Sequence, residues 1–230
     1  MKRFSVSIGA VLAVALMAPL AAQAAHNPNH SPPGATPALS ISAAPNPLVF
    51  GGATTVAGRL TGIAGNNNAT VELQDNPYPY TRGYQRVATT QTNQQGDYAF
   101  TVRPGFRHRY RTVTTGLTGG ATSAEYVVRV RLSVSFYISD STPRRAQLIR
   151  LYGWIRPDHD NRRVLIQRRG TDGVFRNVAS TLSRDVPNRT YSYYSRLLRV
   201  YSDGVYRVVP LSGDIDHLPG ISAARLVNVS

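Results

Sequence analysis

The chain has 230 residues, no cysteine and a formal net charge of +14 at pH 7, and Lys2 is the only lysine among its 26 basic residues. Without cysteine it has no disulfide scaffold, thiolate metal site or cysteine nucleophile, so stability must come from packed apolar side chains. The arginine excess is uneven: residues 38–127 carry 7 arginines against 4 acids, residues 128–230 carry 17 against 8, so a polyanionic partner would prefer the second half.

In chain order, Lys2 and Arg3 precede an apolar run over 4–20, and Ala22-Gln23-Ala24 follows. That sequence of features predicts a signal peptide over 1–24 and an exported protein: secreted, periplasmic or held in the cell envelope. Ser5, Ser7, Gly9 and Pro19 interrupt the run, which leaves it short of the ~20 apolar residues a membrane helix needs. No transmembrane segment is expected once the leader is removed. Residues 25–38 contain four prolines and no apolar period, and read as a disordered spacer.

From Leu39 onward, short β-branched and aromatic runs alternate with Gly, Pro, Asn and Asp clusters, and no stretch has helical spacing. The expected class is all-β. In the first half the strands fall at 39–43, 54–60, 69–74, 85–92, 98–102, 109–115 and 124–130. Pro45-Asn46-Pro47, Gly65-Asn66-Asn67-Asn68 and Gln95-Gly96-Asp97 act as breakers.

The second half repeats the first. Val71-Glu72-Leu73-Gln74 matches Val164-Leu165-Ile166-Gln167 at an offset of 93, and Val56-Ala57-Gly58-Arg59-Leu60 matches Leu151-Tyr152-Gly153-Trp154-Ile155 at 95. Tyr110-Arg111-Thr112-Val113 matches Tyr206-Arg207-Val208-Val209 at 96, and 84–90 matches 175–181 at 91. Matches in one order at nearly one offset define two domains, 39–127 and 128–230. Across the boundary, Tyr126, Val128, Val130, Leu132, Val134 and Phe136 alternate with smaller or polar residues and no Gly or Pro intervenes. One strand is expected to run from the first domain into the second and join them rigidly.

Asp203-Gly204-Val205-Tyr206-Arg207-Val208 and Gly96-Asp97-Tyr98-Ala99-Phe100-Thr101-Val102 resemble strand signatures of bacterial immunoglobulin-like, or fibronectin-III-like, repeats of secreted and surface proteins. The resemblance covers about residues 39–230 and implies two tandem β-sandwiches. It also implies that Val208 stands where such domains carry a cysteine, and that Tyr206 is the tyrosine-corner residue with its hydroxyl on nearby backbone. It implies fold rather than activity.

Catalytic constellations are missing from the sequence. There is no Gly-x-Ser-x-Gly elbow, no phosphate loop and no His-Glu-x-x-His pair; His26 and His30 fall in the spacer, and His108 stands between Arg107 and Arg109. No catalytic residue and no cofactor is expected, and the chain reads as non-catalytic. Asp158-His159-Asp160 and Asp214-Ile215-Asp216-His217 belong to loops that a sandwich places at the same end. Their spacing fits no metal-loop signature, so turn formation by Asp is the expected role and no metal is assigned.

The remaining candidate is a row on one strand. The offset of 95 maps the inward residues Thr54, Val56, Gly58 and Leu60 onto Ile149, Leu151, Gly153 and Ile155, which leaves Arg150, Tyr152, Trp154 and Arg156 facing outward. Trp154 is the only tryptophan. Flat aromatic rings stack on sugars, and arginine pairs with phosphate, sulfate or carboxylate. The row therefore suits an envelope polysaccharide or another polyanion, with no specific nucleic acid expected. The primary expectation is a structural or spacer protein, and a binding module for an anionic polymer is the alternative.

Overall fold

The computed structural model describes residues 36–62, 66–116 and 119–230. The leader at 1–24 and all but the end of the spacer at 25–38 lie outside the described residues.

Every regular element among the described residues is a strand. The first half contains β1 (Ala38–Leu39), β2 (Ser42–Ala44), β3 (Leu48–Val49), β4 (Thr54–Thr61), β5 (Thr70–Pro77), β6 (Gln85–Gln91), β7 (Asp97–Val102), β8 (His108–Thr114) and β9 (Tyr126–Val128). The second contains β10 (Val130–Arg131), β11 (Ser133–Val134), β12 (Tyr137–Ile138), β13 (Leu148–Arg156), β14 (Arg163–Arg169), β15 (Phe175–Leu182), β16 (Ser192–Arg199), β17 (Gly204–Pro210), β18 (His217–Leu218) and β19 (Arg225–Val227).

In the first half, β1, β2 and β7 pair with β4, while β6-β5-β8-β9 forms the opposing sheet. The second half repeats this plan, with β11, β12 and β16 on β13 opposite β15-β14-β17-β19. Period-two alternation dictates the faces. Along β13 the buried residues are Ile149, Leu151, Gly153 and Ile155, and along β4 they include Thr54, Val56 and Leu60. One core gathers Val56, Leu60, Val71, Leu73, Tyr110 and Val128, and the other Leu151, Ile155, Val164, Ile166, Tyr206 and Val208. Burying each such aliphatic side chain is worth about 1.5–3 kcal/mol, which is how a chain without disulfides holds two sandwiches. Val208, which the resemblance places where immunoglobulin-like domains carry a cysteine, is fully buried in the second core.

The repeat extends to irregularities. The β5-β6 ladder shifts register between Leu73 and Gln74, and the β14-β15 ladder shifts between Ile166 and Gln167, the residues 93 later. Gln74 then accepts a hydrogen bond from Arg111 Nε at 2.8 Å, as Gln167 does from Arg207 Nε at 2.8 Å.

A second repeated device corrects the tyrosine-corner expectation. Tyr206 is buried, but its hydroxyl makes no bond to backbone among the described residues; that role belongs to Tyr194, whose hydroxyl donates to Ser135 O at 2.6 Å, and to Tyr98, which donates to Ser40 O. In each case the serine carbonyl turns inward, and the serine side chain takes its place in the ladder. Trp154 N donates to Ser135 Oγ at 2.8 Å, and Arg59 N to Ser40 Oγ at 2.9 Å. The hydroxyl reaches the carbonyl over Gly153 or Gly58, where a Cβ would collide with both oxygens. Glycine is required at these two positions for close approach. The same diversion splits the expected strand 39–43 into β1 and β2.

The segment joining the halves keeps its alternation, with Val128, Val130, Leu132 and Phe136 buried, but it is not one strand. It changes partners: β9 pairs with β8, β10 pairs in parallel with both β3 and β18, and β11 pairs with β13. A strand passing between two sandwiches must satisfy its backbone groups from each in turn, and the interruptions fall at the exchanges. Asn46 completes the handover, donating to Val127 O at 2.8 Å and accepting from Arg129 N at 2.9 Å. Together Gly34–Ser230 form one unit.

Candidate functional site

The outward face of the β12-β13-β16 layer carries the predicted row. Arg150 and Arg156 are exposed, and Tyr152 and Trp154 are half-buried on the same side of β13. Strand pairing fixes their neighbours: Tyr137 lies opposite Tyr152, Tyr193 opposite Trp154, and Leu197 opposite Arg150. With Tyr191, these side chains extend the single row into a two-dimensional surface.

Trp154 sits at the centre of this surface. Its ring is edge-on to Tyr137 at 5.3 Å, Tyr152 at 6.5 Å and Tyr191 at 6.4 Å, and tilted against Tyr193 at 6.4 Å. Tyr137 stacks on Tyr152 at 5.7 Å, and the Arg156 guanidinium lies 4.8 Å from the Tyr191 ring. Edge-to-face pairs of this kind contribute about 0.5–1.5 kcal/mol each beyond area burial. Part of the indole surface is thus spent on bracing the sheet, and Tyr137, at 42% exposure, is the most open ring of the group.

Two shallow grooves flank Arg150, Tyr193 and Leu197. One of 460 Å³ is bounded by Ser139, Leu148 and Tyr152, and one of 230 Å³ by Arg184 and Ser195. Leu148 and Leu197 are 50% and 55% exposed, so the floor is apolar and the charged contributions come from Arg150 and Arg184. Arg150 is held at its backbone, where N donates to Ser139 Oγ at 2.9 Å.

The reading of one strand missed Tyr137, Arg184, Tyr191, Tyr193 and Leu197. A period-two reading of 191–197 would have found most of the β16 contribution, since Tyr191, Tyr193, Ser195 and Leu197 alternate with the buried Ser192 and Tyr194. Tyr137 and Arg184 have no such signal and depend on strand partners.

At the junction end of the second sandwich, the loop after β13 and the loop after β17 meet. His159 Nε2 lies 2.6 Å from Asp214 Oδ2, and the rings of His159 and His217 are perpendicular with centroids 5.0 Å apart. Burial works against the charge on Asp214, but the donated His217 N–H and the facing His159 together hold its carboxyl below the usual range. Asp158, Asp160 and Asp185 form a separate, more open group, where Ser192 Oγ lies 2.5 Å from Asp158 and 2.7 Å from Asp160.

His108, isolated in the sequence, has Asp75 Oδ2 2.9 Å from its Nδ1 and lies between the rings of Phe106 and Tyr110. Burial lowers its pKa from the ordinary 6.5, and Asp75 opposes that shift.

No family model matches the chain, and no curated protein matches it in sequence. Among solved structures it is similar to a tetra-tandem repeat in the extending region of a large adhesion protein, at 16% identity and a TM-score of 0.38. That likeness covers 85% of this chain and 50% of the other. It is also similar to red sea bream transglutaminase, at 13% identity and a TM-score of 0.42, covering 84% of this chain and 31% of that one. The chain therefore spans half the length of the first and under a third of the second.

Proposed function

We propose that this chain is an exported, non-catalytic structural module: two immunoglobulin-like sandwiches, 39–127 and 128–230, joined without a flexible linker and carried outside the cytoplasm by the leader at 1–24. The observation that supports it is the set of backbone hydrogen bonds at the joint, along residues 126–138 and beside them. Phe50 N donates to Arg131 O at 2.9 Å, Leu132 N to Leu218 O at 3.0 Å and Arg107 N to Asp216 O at 3.0 Å. A spacer needs a fixed angle between its units, and three strands shared at the joint supply one. The non-catalytic reading is supported by His159: Nδ1 is 3.1 Å from Pro157 O and Nε2 faces Asp214, so neither nitrogen is presented to a hydroxyl nucleophile. Small-angle scattering of the chain from Ala25 onward should fit one interdomain angle. A need for a broad ensemble of angles would sink the reading.

The aromatic and arginine face favours a second reading, in which the second sandwich holds an anionic envelope polysaccharide. Tyr137, Tyr152 and Trp154 would stack on sugar rings while Arg150 and Arg184 meet the acidic groups. Titration with dextran sulfate and with neutral dextran separates stacking from charge. Trp154→Ala should weaken both, and Arg150→Ala only the sulfated polymer, by roughly tenfold for loss of one charge-assisted contact. Unchanged binding in both folded variants would remove this face from consideration.

A further inference from the structure

The two buried histidines at the joint are arranged as ligands. Both side chains are more than nine-tenths buried, with 6% of His159 and 7% of His217 exposed. Each ring spends one nitrogen on a backbone carbonyl: His159 Nδ1 lies 3.1 Å from Pro157 O, and His217 Nε2 lies 2.9 Å from Gly105 O. A carbonyl only accepts, so those nitrogens carry the protons. In the neutral imidazoles, His159 Nε2 and His217 Nδ1 are then left with lone pairs.

Both lone pairs point at carboxylates. Asp214 places Oδ2 2.6 Å from His159 Nε2 and Oδ1 3.9 Å from His217 Nδ1, and Asp216 Oδ1 lies 3.3 Å from the same Nδ1. Lone pair against carboxylate is repulsive unless positive charge lies between them. One divalent cation meets all of these acceptors at once.

The structure around these donors matches what metal sites need. A ligating histidine characteristically donates its other N–H to a carbonyl or carboxylate, which fixes its tautomer and its orientation. Pro157 O and Gly105 O do that here, and Asp214 is itself fixed by the N–H of His217 at 3.0 Å. Ligand atoms of His159, Asp214 and His217 already lie within 4.8 Å of one another; tetrahedral bonds of about 2.0–2.2 Å place donors about 3.3–3.5 Å apart, so the His159–Asp214 contact opens as the wider pairs close. Two imidazoles with carboxylates suit zinc; calcium and magnesium call for oxygen donors throughout.

We propose that His159, Asp214 and His217, completed by Asp216, bind one Zn²⁺ that staples the joint between the sandwiches. Asp214 and Asp216 lie on the connection into β18, and His217 opens that strand, opposite Val130 of the linking strand β10. Gly105, which orients His217, belongs to the first sandwich, as does Arg107, whose N–H is donated to Asp216 O. The ion therefore fixes the connection that holds the two halves together.

The test uses the untagged mature chain stripped with a chelator. Titrated Co²⁺ should give the visible bands of tetrahedral coordination at one equivalent, and Zn²⁺ should displace them stoichiometrically. Zn²⁺ at a hundredfold excess over its dissociation constant should raise the melting temperature by roughly 5 °C or more. His159→Gln and Asp214→Asn should abolish both signals, while Asp185→Asn, in the neighbouring acidic group, keeps them. Absence of cobalt bands together with an unmoved melting temperature in the unmutated chain would overturn the proposal. So would metal signals that survive Asp214→Asn and disappear with Asp185→Asn.

Discussion

The two sandwiches share a backbone plan and differ most on one face. In the first, the outward residues of β4 are Thr55, Ala57 and Arg59, paired with Thr101, Ala99 and Asp97 on β7, and Ser42 lies opposite Ala57. At the same places in the second stand Arg150, Tyr152 and Trp154, paired with Leu197, Ser195 and Tyr193, and Tyr137 lies opposite Tyr152. The first face is small and neutral, closed by the Arg59–Asp97 ion pair. The second is broad, aromatic and basic. Since the Ser-Gly-Tyr device beneath is common to both, the aromatic surface is not needed to build the sandwich. The first sandwich keeps the same framework without such a face, and that is the argument for looking there first for a partner.

The arginine excess looks different in this light. Arg109 lies 4.0 Å from the Tyr80 ring, Arg111 4.0 Å from Tyr84 and Arg207 4.0 Å from Phe175. These guanidinium groups shield aromatic rings on sheet surfaces in both halves. Net charge therefore overstates what is free to meet a polyanion, and Arg150 and Arg184 at the grooves matter more than the total.

The sharpest way to break the claim of a common framework is to remove the tyrosine hydroxyls. Among the described residues the Tyr194 hydroxyl bonds Ser135 O alone, whereas Tyr98 bonds Ser40 O and lies 2.7 Å from Thr112 Oγ1, the residue that stands where the second core has Val208. Tyr194→Phe strands one carbonyl and should cost about 1 kcal/mol; Tyr98→Phe strands a carbonyl and loosens a buried hydroxyl, and should cost about 2 kcal/mol. Urea denaturation of both variants measures the difference. Equal losses would mean that the Thr112 contact adds nothing to the device the two sandwiches share, and a larger loss at Tyr194 would break the claim that the two devices are equivalent.

Alternation made the long strands legible. The reading at 54–60 falls within β4, and the outward direction of Arg150, Tyr152, Trp154 and Arg156 follows from period two together with the 95-residue offset. What escaped was set by partners rather than pattern. β3 and β18 are two residues each, too short for any period, and exist because β10 offers hydrogen bonds on both sides. Pro45-Asn46-Pro47 reads as a breaker, yet Asn46 is the residue that ties the linking strand down. The tyrosine-corner expectation failed for a related reason. Tyr206 matches the motif in sequence, but the carbonyl available for a hydroxyl lies over Gly153, within reach of Tyr194. The meeting of the Asp158 and Asp214 loops follows from topology; that Gly105, from the other sandwich, orients His217 does not.

A smaller effect sharpens the comparison at the opposite end of the strands. His108 and Asp75 in the first sandwich correspond to Gly204 and Arg168 in the second, where Asp75 and Arg168 pair with Tyr110 and Tyr206 respectively. Arg168 donates to Ser202 Oγ at 2.8 Å, so a histidine–carboxylate pair occupies this position only in the first half. Burial depresses the His108 pKa below 6.5 in the folded state, against the pull of Asp75. The unfolded chain therefore binds a proton on this ring at a higher pH than the folded chain does. Stability from this group is complete above the unfolded value, declines as the pH falls through it, and levels off below the folded value. Denaturation of the wild type and of His108→Gln at about pH 7.5 and about pH 5 isolates the contribution, because the other groups titrate alike in both chains. The wild type should lose more stability on acidification than the variant. If it instead gains relative to the variant, the ion pair with Asp75 outweighs burial, and the first sandwich holds its histidine as a cation rather than as a neutral ring between Phe106 and Tyr110.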